Sequence, residues 1–127
     1  MTVKLGDAVA LTLNGTRYKV VKDVEPQINK GGKSASEAQE YGDGTADPYF
    51  VNSAGGITGL KVVVEEENAD AFEKALGLNS MSVVLECVSK SYECTGFVVG
   101  DVTISATKRT TSEFDIKVSD GGGVRES

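Results

Sequence analysis

Cys87 and Cys94 are the chain's two thiols, and they flank Lys90-Ser91, which reads as a two-residue turn between strands. In that register the cysteines stand opposite each other. A hydrogen-bonded pair would hold their Cα atoms about 5.5 Å apart, inside the disulfide range. Such pairs accept a bridge less readily than the other kind, and a protein made in the cytosol keeps its thiols, so two reduced, packed cysteines are expected. Asp43-Gly44-Thr45-Ala46-Asp47 sets carboxylates around a glycine, as calcium loops do. It lacks the third acidic position and the terminal Glu of an EF-hand, and reads as a turn. Gly31-Gly32-Lys33-Ser34 ends like a phosphate-binding loop, yet Gln27 stands where that loop needs its first glycine. Glu65-Glu66-Glu67 reads as a solvated helix start, and nothing pairs two carboxylates for glycosidic chemistry. The chain has no histidine, which removes the commonest general base and the commonest zinc ligand. The expectation is a non-enzymatic protein with no catalytic, cofactor-binding or metal-binding residues.

The elements that would position any site are short strands. Asn14-Gly15 is a hairpin signal, because a type I′ turn needs positive φ at both central residues. That turn sets Leu11 against Tyr18, Val9 against Val20 and Leu13 against Thr16, all on one apolar face. A strand over about 59–66 follows, with Leu60, Val62 and Val64 alternating. Asn68 as N-cap, the acidic run before it and Gly77 as a stop predict one short helix over about 69–76, with Phe72 and Leu76 buried. Strands at 82–89, 92–99, 102–107 and 113–119 then read as a meander. Across Gly100-Asp101, Val99 would meet Val102 and Phe97 would meet Ile104. Phe114, Ile116 and Val118 share a face of the last strand. The expected fold is mainly β, an antiparallel sandwich or partly closed barrel, in one domain spanning 1–127. Residues 120–127 read as a mobile tail.

Residues 22–58 do not alternate. A compact domain rarely holds an unstructured connection longer than about 12–15 residues unless it is functional or disordered. This one carries Tyr41, Tyr49 and Phe50 with Val51 and Ile57, types that disordered segments lack. Ser34-Ala35-Ser36-Glu37 fits a capping box, which predicts two helical turns over 35–41. Asp47-Pro48 marks a turn. The segment reads as an inter-subunit arm that buries Tyr41, Pro48, Tyr49, Phe50 and Val51 on a neighbour. The competing reading is a loop folded over its own barrel.

Composition excludes some partners. A net charge of −6 lacks the basic footprint of a nucleic-acid or anionic-membrane binder. The N-terminal residues Met1–Asp7 lack an apolar core of signal-peptide length, and the longest clearly aliphatic run is Val62-Val63-Val64. Synthesis in the cytoplasm, with no membrane partner, is expected.

The order of elements, a hairpin, a long arm, a strand with one helix and then a meander, resembles the tail tube proteins of contractile-tailed bacteriophages. Those share a fold with the inner-tube proteins of type VI secretion and related injection systems. The stretches "NSAGGITGLKVVVEEENADAFEKAL", "SKSYECTGFVVGD" and "SEFDIKVSDG" carry the resemblance over most of the chain. It implies a virion protein, localised to the tail, that assembles as stacked hexameric rings. Tail sheath, baseplate and terminator proteins would be its partners, and DNA would pass through an acidic lumen without specific binding. Strand alternation puts Glu86 and Glu93 on the side away from Cys87 and Cys94, so these carboxylates are lumen candidates, the alternative being ordinary exterior charges. Two other functions compete: another virion module (baseplate, neck or decoration protein) and a small β-barrel ligand-binding protein.

Overall fold

In the computed structural model Asn14 and Gly15 both take positive φ, 50° and 89°, as the turn chemistry requires. Strand β1 covers Thr2–Lys4, and the turn joins β2 (Ala8–Leu13) to β3 (Thr16–Val20). The structure describes residues 2–4, 8–22 and 24–126, with the backbone alone at 2–4, 33–36 and 51. Leu11 faces Tyr18 and Leu13 faces Thr16, the expected register. Val9 departs from it: the ladder to the next strand skips between Ala8 and Ala10, and that bulge turns Val9 out to solvent.

The remaining strands are β4 (Gln27–Asn29), β5 (Gly32–Glu40), β6 (Ala46–Ser53), β7 (Gly56–Leu60), β8 (Val62–Val63), β9 (Met81–Cys87), β10 (Ser91–Val99), β11 (Phe114–Val118) and β12 (Arg125–Glu126). All pairings are antiparallel. The main sheet runs β1-β4-β7-β11-β10-β9-β2-β3-β8, with β12 added to the free part of β10. The sheet is not closed into a barrel. Its halves meet through one bent chain, because β8 continues β7 past Lys61 while pairing with β3 at the far end of the path. A clasp holds the bend. Thr111, buried, accepts a hydrogen bond from Val62 N at 3.1 Å, and Arg109 Nε donates to Val64 O at 3.0 Å. Leu60, Val62 and Val64 all point inward through the bend.

Helix α1 (Ala69–Leu76) follows a 3₁₀ turn at Glu66–Asn68 and matches the predicted span. Its Phe72 stacks edge-on against Tyr18 at 5.3 Å and Phe114 at 6.2 Å, so one aromatic ties β3 to β11. Ala75 rather than Leu76 completes the buried stripe, and Asn68 makes no side-chain cap.

Larger expectations fail as well. Residues 35–41 are strand, not helix: the capping-box residues lie in β5, paired along β6. The long segment is therefore structured, since its ends, β4 and β7, pair with each other and its middle is a hairpin. Residues 102–107 form no strand. Only an isolated bridge joins Ile104 to Thr111, and β10 pairs with β11 instead, setting Val99 against Asp115. The C-terminus is pinned: Val124 is buried, its N–H reaches Lys30 O at 3.3 Å, and β12 lies on Tyr92 and Glu93. Ser127 lies outside the described residues.

Two glycines fix where the hairpin leaves the sheet. A Cβ on Gly55 would sit 2.7 Å from Asn29 O, and one on Gly56 would run into the carbonyl oxygen of Ile116. The backbones cross there at a distance only glycine allows.

Candidate assembly interface

The β5–β6 hairpin is a two-stranded sheet of its own, paired with no other strand among the described residues. Its turn is built by local chemistry. Asp43 Oδ1 accepts from Thr45 N at 3.0 Å and Thr45 Oγ1 at 2.6 Å, which holds the Asp43 carboxyl below its usual pKa. Of the carboxylates that resemble a calcium loop, Asp43 thus serves a turn, while Asp47 and Pro48 lie within β6 and form no turn. Among the described residues, no group of three or more metal-ligating side chains gathers anywhere.

Register separates the expected arm residues. Gln39 pairs with Asp47 and Glu37 with Tyr49, while Ala38 pairs with Pro48 and Glu40 with Ala46. Because alternate residues face opposite sides, Tyr49 and Asp47 share one face and Pro48 and Phe50 the other. Tyr41 is 47% exposed, and Tyr49 and Phe50 are each 52% exposed. Val51 belongs to β6 opposite Ser34, and its side chain lies outside the described residues. On the tyrosine face two hydrogen bonds fix the rings. Tyr41 OH donates to Asp47 Oδ2 at 2.9 Å, and Tyr49 OH donates to Gln39 Oε1 at 3.1 Å. The Asp47 carboxylate raises the Tyr41 pKa, since losing the phenol proton breaks that bond beside a negative charge. Gln39 was not singled out from sequence, and Asp47 and Glu37 were read there as parts of a turn and a capping box rather than of a strand face. Their signal is the two-residue alternation on either side of Asp43-Gly44, visible once the segment is read as a hairpin.

The cysteines do not face each other. The β9–β10 turn falls two residues earlier than expected, at Val88-Ser89, where Cys87 N donates to Lys90 O at 2.8 Å. Ser91 is opposite Glu86, so Cys94 pairs with Val83 and Cys87 with Ala8. Both thiols are free. Cys94 is buried and its pKa is pushed up to about 11, mainly by burial, with nearby Arg125 lowering it and Asp120 raising it. Glu86 and Glu93 lie on the outer face of β9 and β10, opposite the buried side. Each has a cation beside it: Arg17 Nη2 is 3.4 Å from Glu86, and Arg125 Nε is 3.8 Å from Glu93. Lys90 and Lys30 similarly flank Glu126 at 3.0 and 3.7 Å.

Two cavities lie at the hairpin base. One of about 210 Å³ is bordered by Asn29, Thr58 and Asp115, below the roughly 300–1,000 Å³ of small-molecule sites. The other, about 470 Å³, is walled by Gly31, Gly32 and Gly121–Gly123, with Lys30 the one cation lining it among the described residues. Lys30 is engaged by Glu126. Comparison with protein-family models, with curated proteins and with solved structures finds no match to this chain.

Proposed function

We propose that this chain is a structural subunit that self-assembles into stacked hexameric rings, the inner tail tube of a contractile phage and a conduit for DNA. The observation that carries the reading is the projecting hairpin. A body with its own aromatic core extends two further strands that pair with none of its own sheet and leave Tyr41, Tyr49 and Phe50 half-exposed. Aromatic side chains presented on a rigid element are what protein interfaces use as anchors. A repeated contact between two different faces of one chain closes into a ring or continues as a helix. In the ring, the outer face of β9 and β10 turns toward the lumen. Glu86 and Glu93 then face DNA with Arg17 and Arg125 beside them. Their repulsion of phosphate is weaker than that of two bare carboxylates, so the lumen is weakly acidic. Tail sheath, baseplate and terminator proteins are the partners this role requires, and the virion is its location.

Light scattering after size exclusion, with negative-stain imaging of the same fractions, tests the reading. Wild-type chain is expected to form rings or tubes. The double variant Tyr49→Ala, Phe50→Ala is expected to stay monomeric with unchanged circular dichroism. Wild type that remains a monomer at millimolar concentration overturns the proposal.

A further inference from the structure

The tyrosine face of the hairpin is acidic as well as aromatic. Residues 32–53 contain one cation, Lys33, against Glu37, Glu40, Asp43 and Asp47, a net −3 of the chain's −6. Glu37 and Asp47 lie on the face of Tyr41 and Tyr49, whose hydroxyls are already tied down. A face whose rings are fixed in advance loses little entropy on binding.

A surface of opposite character lies on the body. Lys19 pairs with Val63, and Val21 N donates to Lys61 O at 2.9 Å in continuation of that ladder. Arg17, Lys19, Val21, Lys61 and Val63 therefore share the outer face of β3 and β8. Three cations and one carboxylate, Glu65, border a floor of two half-buried valines, which leaves the strip net basic. Arg17 is engaged by Glu86, but Lys19 and Lys61 make no ion pair among the described residues. Aromatic rings suit both the valine floor and the lysine ammonium groups, and the carboxylates suit the cations.

The hairpin's edges are closed to pairing. Pro48 removes a donor from β6, and β5 bulges between Ala35 and Glu37. Both devices discourage strand addition, which leaves the faces for contact.

We propose that the Tyr41–Tyr49 face of the hairpin docks on the Lys19–Lys61 end of this strip on a second copy of the chain, leaving Arg17 with Glu86. The inference rests on the assembly reading above and names its contact surfaces. Charge reversal tests it in the full-length protein. Glu37→Lys with Asp47→Lys makes the arm basic, and Lys19→Glu with Lys61→Glu makes the strip acidic. Each variant alone is expected to remain folded by circular dichroism and to assemble at least tenfold more weakly. Mixed in equal amounts they are complementary in both directions and alternate around an even-numbered ring, so assembly is expected to return. Wild-type assembly is also expected to weaken at least tenfold between low and half-molar salt. Variants that assemble like wild type, or a mixture that stays as weak as its components, overturn this inference while leaving self-assembly standing. A wild type that never assembles overturns the function reading and this contact with it.

Discussion

Replacing Val124 by alanine tests whether the C-terminal strand belongs to the core. Val124 is 4% exposed and sits just before β12, which pairs with β10. The change removes two buried methyl groups. At about 0.8 kcal/mol each, the transfer loss is about 1.6 kcal/mol. A void that fails to collapse adds up to about 1 kcal/mol. Unfolding entropy of about 2.1 cal/mol/K per residue converts 1.6 kcal/mol into a fall in Tm of about 6 °C for a chain of this length. Val88→Ala is the control, since Val88 is 79% exposed and the same deletion there is expected to shift stability by less than about 0.5 kcal/mol. Both variants are melted by far-UV circular dichroism and titrated with urea, with the m-value expected to stay constant. A Val124→Ala protein melting within about 1 °C of wild type, or a Val88→Ala protein that falls as far, refutes the seated C-terminus.

Ion pairing at the same strand sets a pH window. The Lys90 ammonium lowers the Glu126 pKa, and Glu126 raises that of Lys90. The depressed carboxylate contributes above its unfolded pKa and loses that contribution as pH falls through its folded value. The raised amine contributes below its unfolded pKa and loses it as pH climbs through its folded value. Hydrogen exchange at Arg125 and Glu126, corrected for intrinsic rates, is therefore expected to be flat through neutral pH. It is expected to speed up in acid below the usual carboxylate range, and that acid step is expected to disappear in Glu126→Gln, which lacks the titrating carboxylate. In a Cys87→Ser background, Cys94 is expected to resist maleimide at pH 8, because burial keeps it a thiol, and to react once residues 124–127 are deleted. Gly56→Ala is expected to cost about 3 kcal/mol by driving its Cβ into Ile116, with Gly15→Ala, where nothing crowds the Cβ, costing about 1 kcal/mol; urea titration compares them. Asp47→Asn is expected to lower the titration midpoint of one tyrosine, Tyr41, when phenolate absorbance is followed above pH 9.

Much of the body was legible because local rules and burial agreed there. Asn14-Gly15 set its own register, helix α1 runs over the predicted residues, and Phe114, Ile116 and Val118 alternate into the core. The failures share a cause. The Ser34–Glu37 capping box is a local preference, and the pairing of β5 with β6 overrode it. The Gly100-Asp101 turn was read as a hairpin because it is short. The chain that pairs with β10 instead arrives from Phe114 onward, a distance no local pattern reports. The cysteines were set opposite each other by centring the turn on Lys90-Ser91; the turn falls two residues earlier, at Val88-Ser89, and that shift moved Cys94 onto Val83. Of the arm, the aromatic residues were visible as an anomaly of composition. Their division between two faces was not, because a face exists only once a strand is paired.

The bend at Lys61 has a consequence for the order in which this molecule comes together. The hairpins β2–β3, β5–β6 and β9–β10 join neighbours in sequence, and such hairpins form in roughly 1–10 μs. The pairings of β7 with β11 and of β8 with β3 join distant segments, and closing such loops is the slow part of folding. Lys19 and Lys61 come side by side only at that late step. The β5–β6 hairpin, closed by local pairing, can form before that surface exists. In the proposed assembly, growth is thereby confined to subunits that have completed their own fold.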